Sequence, residues 1–441
     1  MIPTEEFKQR RKKIMREMKK RSMAVIAGRS ASVRNGDVEY PFRQDSDFLY
    51  LTGFDEPDAV AVLLPGREEG EFVIFCREFD ETRALWTGYF AGLEEAVSQF
   101  GADQAYSIDD FADKLPELMS GYERIYYPIG GDVELDRQVV DAMCNLKGKV
   151  RSGVRPPRQL HDLAPLIHEM RLYKSAAELD AMQEAIRVSV RAHRRAMSYC
   201  QPGQYEHEIE AEITHEFMRH GLRSAAYPSI VAGGNNACVL HYTRNDALLK
   251  DGDLLLIDAG VECKGYASDI TRTFPVNGKF SEEQKLLYEC VLKAQLAAID
   301  AIRPDRRWSE PHDAAVEVLT RGLVQLGLLK GRVSRLIRDE VYKTFYMHKT
   351  GHWLGMDVHD VGAYKTGPEL EWRKFEPGMV LTVEPALYIS EQCEQVDSRW
   401  RGIGIRIEDD VVVTEDGCRV LTAGAPKTVD EIESLMRGDH D

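Results

Sequence analysis

The chain has 441 residues, with 57 Lys plus Arg against 73 Asp plus Glu and a net charge of −16. Hydrophobic residues at 43% and charged residues at 29% exclude a disordered chain, and the length predicts two or three domains with a large core. The acidic balance argues against nucleic acid and anionic membrane as partners, because both require a basic face.

The N-terminal stretch Met1 to Arg21 is basic but carries Glu5, Glu6 and Glu17 and has no apolar core. It reads as a charged amphipathic helix, not as a secretory or transit signal. Short apolar runs at Met23 to Ala27, Val60 to Leu64 and Phe72 to Phe75 predict strands. Helical spacing recurs at Phe111 to Met119, which Pro116 should shorten or kink, and at Leu135 to Leu146. These alternating elements predict a smaller N-terminal α/β domain over 1–172.

From Tyr173 onward the pattern changes. Ser175 and Glu178 form a capping box for a long helix, and a second helix spans about Tyr205 to His220. Further helices are expected at Ser281 to Ile302 and Ser309 to Leu326. Strand-rich blocks occupy 227–275 and 378–425, so 173–441 reads as an α+β domain. No apolar run is long enough to cross a bilayer. The eight cysteines form no C-x-x-C pair and read as free thiols in a reducing cytoplasm.

One internal echo stands out. Gly252-Asp-Leu-Leu-Leu-Ile-Asp258 resembles Gly378-Met-Val-Leu-Thr-Val-Glu384, and each is followed by a second strand-borne acid, Asp269 and Glu408. The echo hints at two related halves, each giving a pair of carboxylates to one site. An acid at the end of an apolar strand suffers desolvation unless it is paired or binds a cation. Asp258 and Asp269 can face each other across a hairpin turned at Gly260 to Gly265. They read either as a cation site or as strand-end acids, one bridged to Arg272. In Gly404-Ile-Arg-Ile-Glu408 the alternation puts Arg406 and Glu408 on one face.

Nitrogen ligands are at hand. His348, His352 and His359 crowd one glycine-containing segment, and His241 is a further candidate. Four carboxylates balance two divalent cations, and an oxygen-rich set with one imidazole favours Mn²⁺-like ions while accepting Zn²⁺ or Co²⁺. Metals about 3.5–4 Å apart can activate water and polarise a carbonyl. The segment His215-Glu-Phe-Met-Arg-His220 is one residue too long for a zinc-protease motif, because its histidines point about 140° apart on a helix. It reads as a solvated face of a Glu-rich helix, which with the acidic tail accounts for the excess charge. No P-loop, G-x-S-x-G or dinucleotide fingerprint is present.

Together these residues resemble the five metal ligands of the pita-bread metallopeptidases. The strings Ile257-Asp-Ala-Gly260, Asp269-Ile-Thr-Arg-Thr-Phe274, His352-Trp-Leu-Gly355, Asp357-Val-His-Asp360, Thr382-Val-Glu-Pro385 and Gly404-Ile-Arg-Ile-Glu-Asp409 look most like the bacterial aminopeptidase P family. Glu39-Tyr-Pro-Phe-Arg-Gln-Asp-Ser-Asp-Phe48 and Leu51-Thr-Gly-Phe-Asp-Glu-Pro57 extend the likeness into the N-terminal half.

The resemblance implies a pita-bread catalytic domain behind a creatinase-like N-terminal domain that serves oligomerisation and site closure. It implies a dinuclear, usually manganese, metallo-aminopeptidase that releases the N-terminal residue when proline is second, using a metal-bridging hydroxide. Asp269 and Glu408 would bridge the metals, Asp258 would chelate one, and His352 and Glu384 would complete the other. Glu384 would also shuttle the proton, while His241 and His359 would steady the substrate carbonyl and oxyanion. His348, Tyr388 and Arg406 would line the proline pocket. Trp86 either packs in the core or reaches the site of a neighbouring subunit in a homodimer or homotetramer. Lys349 and Ala386 depart from the common pattern near the expected pocket and bear on substrate preference. The alternatives are a dipeptidase specific for Xaa-Pro and a non-catalytic peptide- or protein-binding module.

Overall fold

The computed structural model describes residues 2–438, so the last three residues of the acidic tail lie outside the described residues. The chain divides into two compact units, Met1–Arg171 and Leu172–Asp441.

The first unit is built on a six-stranded mixed sheet. Strand Ser22–Ala27 lies inside it, antiparallel to Val60–Leu63 and parallel to Arg124–Tyr127. The three expected strands form, and helix Val133–Gly148 extends the expected one at both ends. Helix Phe111–Met119 contains Pro116 and keeps its whole expected length, so of the expected shortening or kink the shortening does not occur. The N-terminal helix Thr4–Glu17 is less solvated than its charge suggested. Arg10 and Arg11 are buried and donate to the carbonyls of Tyr50 and Leu51 at 3.0 and 2.9 Å.

In the second unit two helix pairs each precede antiparallel strands. Helices Ala176–Tyr199 and Glu206–Arg219 pack together and lead into the sheet Ile230–Gly233, Leu254–Asp258 and Thr271–Pro275. Helices Glu282–Asp300 and Ser309–Gln325 pack together and precede the ladders of 380–420. The expected capping box forms, with the Glu178 N–H donating to Ser175 Oγ at 3.3 Å. Among the described residues no helix is long and apolar enough to cross a membrane.

Behind the sheets sits a buried charge cluster. Arg272 and Asp409 are both wholly buried and pair at 2.7 Å. Asp409 also accepts from Lys427 Nζ at 2.6 Å and Gln295 Nε2 at 2.9 Å. Burial alone would raise the Asp409 pKa, but Arg272 and Lys427 outweigh it and hold the group at about 2. Replacing Arg272→Met removes one of those cations, and breaking a buried pair costs about 3–5 kcal/mol. A urea unfolding curve should show a loss of that order, and an unshifted midpoint would contradict the assignment.

Candidate active site

The first pair of acids is set by strand pairing. Leu254–Asp258 is apolar along its length and central in its sheet. Its ladder places Asp258 opposite Thr271, two residues after Asp269. The chain between the acids does more than turn. It makes a separate hairpin, Glu262–Cys263 against Tyr266–Ala267. Gly260 opens that excursion because a Cβ there would lie 1.8 Å from the Ser268 carbonyl oxygen. The acids nevertheless converge. The Tyr227 hydroxyl reaches Asp258 Oδ1 at 2.7 Å and also reaches Asp269 Oδ1.

The second pair occupies matching breaks in a strand pair. Val380–Val383 pairs with Asp409–Val413, and Ala386–Ile389 pairs with Ile403–Arg406. Val383 faces Asp409 and Ala386 faces Arg406, so Glu384-Pro385 and Ile407-Glu408 lie between the ladders on both strands. Pro385 has no N–H with which to continue the ladder. The freed N–H of Glu384 donates to the Thr350 carbonyl at 2.7 Å, and that of Glu408 to the Thr271 carbonyl at 3.0 Å. The break therefore ties this pair both to the histidine segment and to the strand of the first pair.

His352 completes the cluster. Its Nδ1 lies 3.0 Å from the Trp353 carbonyl, which assigns the proton to Nδ1 and leaves Nε2 as the free lone pair. Nε2 is 3.4 Å from Asp269 Oδ2 and 3.8 Å from Glu384 Oε1. Ligand atoms of Asp269, His352 and Glu408 all lie within 4.8 Å of one another, a spacing that suits a cation. Four carboxylates and an imidazole are a donor set for Mn²⁺, Zn²⁺ or Co²⁺.

The substrate-side residues join the same cavity, which has a volume of about 540 Å³. It is lined by all five expected ligands and by His241, His348, His359, Tyr388 and Arg406. The His359 ring stands edge-on to His352 at 4.3 Å. Arg406 is buried and donates to Asp258 Oδ2 at 2.7 Å and to the Tyr388 hydroxyl at 2.8 Å. His348 Nε2 lies 3.0 Å from that hydroxyl, and burial pushes its imidazole down to about 4, so it is neutral near pH 7. Lys349 lines the cavity rim, but Ala386 is fully buried and does not line it. A larger neighbouring cavity of about 710 Å³ has Trp308, His312 and Trp372 in its wall but only one acid, Asp313. Trp86 belongs to the first unit and is 86% exposed, which overturns its packing in the core.

Two other expectations need correction. Arg272 bridges neither Asp258 nor Asp269; it pairs with Asp409. The Glu-rich helix is not wholly solvated, since Glu206 and Glu216 are buried. Tyr227 was missed, because one tyrosine before Pro228 carries no pattern of its own.

Burial and mutual repulsion dominate the electrostatics. Burial and then Asp258 drive Asp269 well above the usual carboxylate range. Burial and then Asp269 do the same to Glu408, and burial with Glu408 pushes Glu384 up to about 8. A raised carboxyl favours the folded chain below its unfolded value, and that contribution is lost as pH rises through about 8 for Glu384. A cation entering at pH 7 must therefore displace protons. Titration calorimetry of the metal-free chain with Mn²⁺, in two buffers of different ionisation heat, should show proton release that weakens above pH 8. Identical heats in both buffers would contradict the protonated cluster.

Comparison with known proteins agrees with this geometry. Residues 180–415 match metallopeptidase family M24, and residues 7–126 match the aminopeptidase P N-terminal domain. The chain is 45% identical over 435 residues to an Xaa-Pro aminopeptidase of Haemophilus influenzae, covering 99% of this chain and 98% of that one. It is 34% identical to Xaa-Pro aminopeptidase 3 of Homo sapiens, over 98% of this chain and 85% of that one. Its fold matches the Pseudomonas aeruginosa aminopeptidase PepP with TM-score 0.98 and 55% identity, covering 99% and 98% of the two chains. It matches zinc-substituted Escherichia coli aminopeptidase P in complex with product with TM-score 0.96 and 43% identity, covering 100% and 99%. With both domains matched and likeness of this degree along nearly its whole length, the chain belongs to the aminopeptidase P branch of metallopeptidase family M24, with the pita-bread fold.

Proposed function

We propose that the chain is an Xaa-Pro aminopeptidase that releases the N-terminal residue of peptides with proline in the second position. The observation that carries this is the convergence of Asp258, Asp269, Glu384, Glu408 and His352 in a cavity that also holds His241, His348 and His359. The curated relatives above bear the same activity in their names. Two divalent ions, most favourably Mn²⁺, would be held there. Asp258, Asp269, His352, Glu384 and Glu408 would hold them. Bound metal supplies Lewis-acid activation of water and of the scissile carbonyl.

The chain's own groups handle protons and position. Glu384 takes the proton of the attacking water and passes it to the leaving proline nitrogen. A carboxylate can do this while ligating, because one oxygen stays free to accept. His241 and His359 donate to the carbonyl oxygen and to the oxyanion that forms from it. His348 is uncharged and shares the Tyr388 hydroxyl with Arg406, so the wall facing the proline ring is held by hydrogen bonds rather than by a mobile charge. Trp86, on the exposed helix Glu81–Thr87, is the proposed contribution to a neighbouring subunit's site in a homodimer or homotetramer. The eight unpaired cysteines support a cytoplasmic setting.

Peptide length separates this reading from a dipeptidase. The Mn²⁺-loaded chain should cleave Xaa-Pro-Yaa, and cleavage of Xaa-Pro dipeptides alone would overturn it. Chelation should abolish turnover and Mn²⁺ should restore it, with two ions per chain by metal analysis. A chain that binds no Mn²⁺, Co²⁺ or Zn²⁺ would be a binding module instead. Glu384→Ala should lower kcat by about 10³-fold or more with its circular dichroism unchanged, and retained turnover would remove Glu384 from the proton path.

A further inference from the structure

The loop that carries His241 has one buried carboxylate beneath it. Strand Ile230–Gly233 ends at Gly233, and the chain then runs through Gly234–Cys238 and His241 before Ala247. Glu206, the first residue of helix Glu206–Arg219, is fully buried against this loop. Its Oε1 accepts from the Gly233 N–H at 2.7 Å and from Asn236 Nδ2 at 3.0 Å. Its Oε2 accepts from the Tyr242 hydroxyl at 2.8 Å and from the Ala247 N–H at 2.9 Å. A single side chain thus holds both ends of the loop, its middle, and the residue next to His241.

The chemistry requires a carboxylate. All four partners donate, and an ionised carboxylate only accepts, with about four lone-pair sites. No cation pairs with Glu206 among the described residues, so these donors and the helix N-terminus must stabilise its charge. Glutamine would turn an N–H₂ group toward at least one N–H. Asn245 adds a second anchor: its Oδ1 accepts from the Val231 N–H at 3.0 Å and its Nδ2 donates to the Ser229 carbonyl at 2.9 Å. The His241 ring lines the cavity and is exposed, so its place depends on the loop beneath it.

We propose that Glu206 is the positioning residue for His241. Its charge-assisted clamp on Gly233, Asn236, Tyr242 and Ala247 sets where the imidazole stands over the substrate carbonyl. This rests on the function proposed above.

The test is a double-mutant cycle on the full Mn²⁺-loaded chain with an Xaa-Pro-Yaa peptide. Glu206→Gln should lower kcat/KM by about tenfold or more, with metal content unchanged. In the His241→Ala background the same change should have little further effect, because the group it positions is gone. Tyr242→Phe removes only the hydroxyl and should show the same non-additivity with a smaller loss. In parallel, hydrogen exchange of the 233–247 segment should quicken about tenfold or more in Glu206→Gln, with the strand Leu254–Asp258 unchanged. Losses that add fully to that of His241→Ala would overturn the proposal, as would unchanged exchange in the loop. A wild-type chain inactive on the peptide counts against the proposed function, and the exchange experiment then decides the role of Glu206 by itself.

Discussion

The catalytic unit is organised around the repulsion of four carboxylates gathered in one cavity. Among the described residues the protein offers them one guanidinium, from Arg406 on Asp258, with hydroxyl donors from Tyr227 and from Thr271, which donates to Glu408 at 2.7 Å. That leaves the remaining negative charge to protons or to bound cations. The raised affinity of Asp269, Glu384 and Glu408 for protons and the fitness of the cluster for divalent ions have the same cause. The contrast between two neighbouring residues shows how local this is. Asp409 has Arg272 and Lys427 beside it and stays ionised. Asp410 has the Asp269 N–H and acidic neighbours, and burial drives it well above the usual carboxylate range.

Strand parity decides which acids reach the site. Asp258 and Thr271 are directly paired, so Asp269, two residues before Thr271, keeps the same parity. Ile257 pairs with Arg272, which places Arg272 on the opposite face, where it meets Asp409. On the second hairpin Glu384 and Tyr388 share one parity, and Arg406 and Glu408 share another, and all four line the cavity. A slip of one residue in either ladder would exchange the cavity set for the structural set. The matching breaks at Glu384-Pro385 and Ile407-Glu408 protect against that slip, because the freed N–H groups of Glu384 and Glu408 bond outside the hairpin.

Much of this was legible in the sequence for a simple reason. An acid ending an apolar strand is a local anomaly, and four such anomalies with a cluster of histidines point to one kind of chemistry. The helices were equally legible, since caps and three- and four-residue spacing are local too. Of the two readings open for Asp258 and Asp269, the bridge to Arg272 fails because strand alternation turns Arg272 to the opposite face. The supports of the site were illegible because each joins distant segments. Lys174 and Asp360, whose side chains are each 1% exposed, pair at 2.9 Å across 186 residues. Tyr227 meets Asp258 across 31 residues.

Glu206 shows the limit most clearly. It sits among Glu208, Glu210 and Glu212, on a helix whose composition reads as solvated surface. Only the packing of that helix under the loop of 233–247 separates it from its neighbours. Glu208 caps its own helix, donating nothing and accepting the Tyr205 N–H at 2.6 Å, while Glu206 accepts four bonds from a different element. Composition averages over those two roles, and net charge averages further still. What distinguishes an acid that solvates from one that binds a metal or holds a loop is how many donors or cations its burial brings within reach. That quantity is set by tertiary pairing, so it emerges only when the strands and helices are assembled.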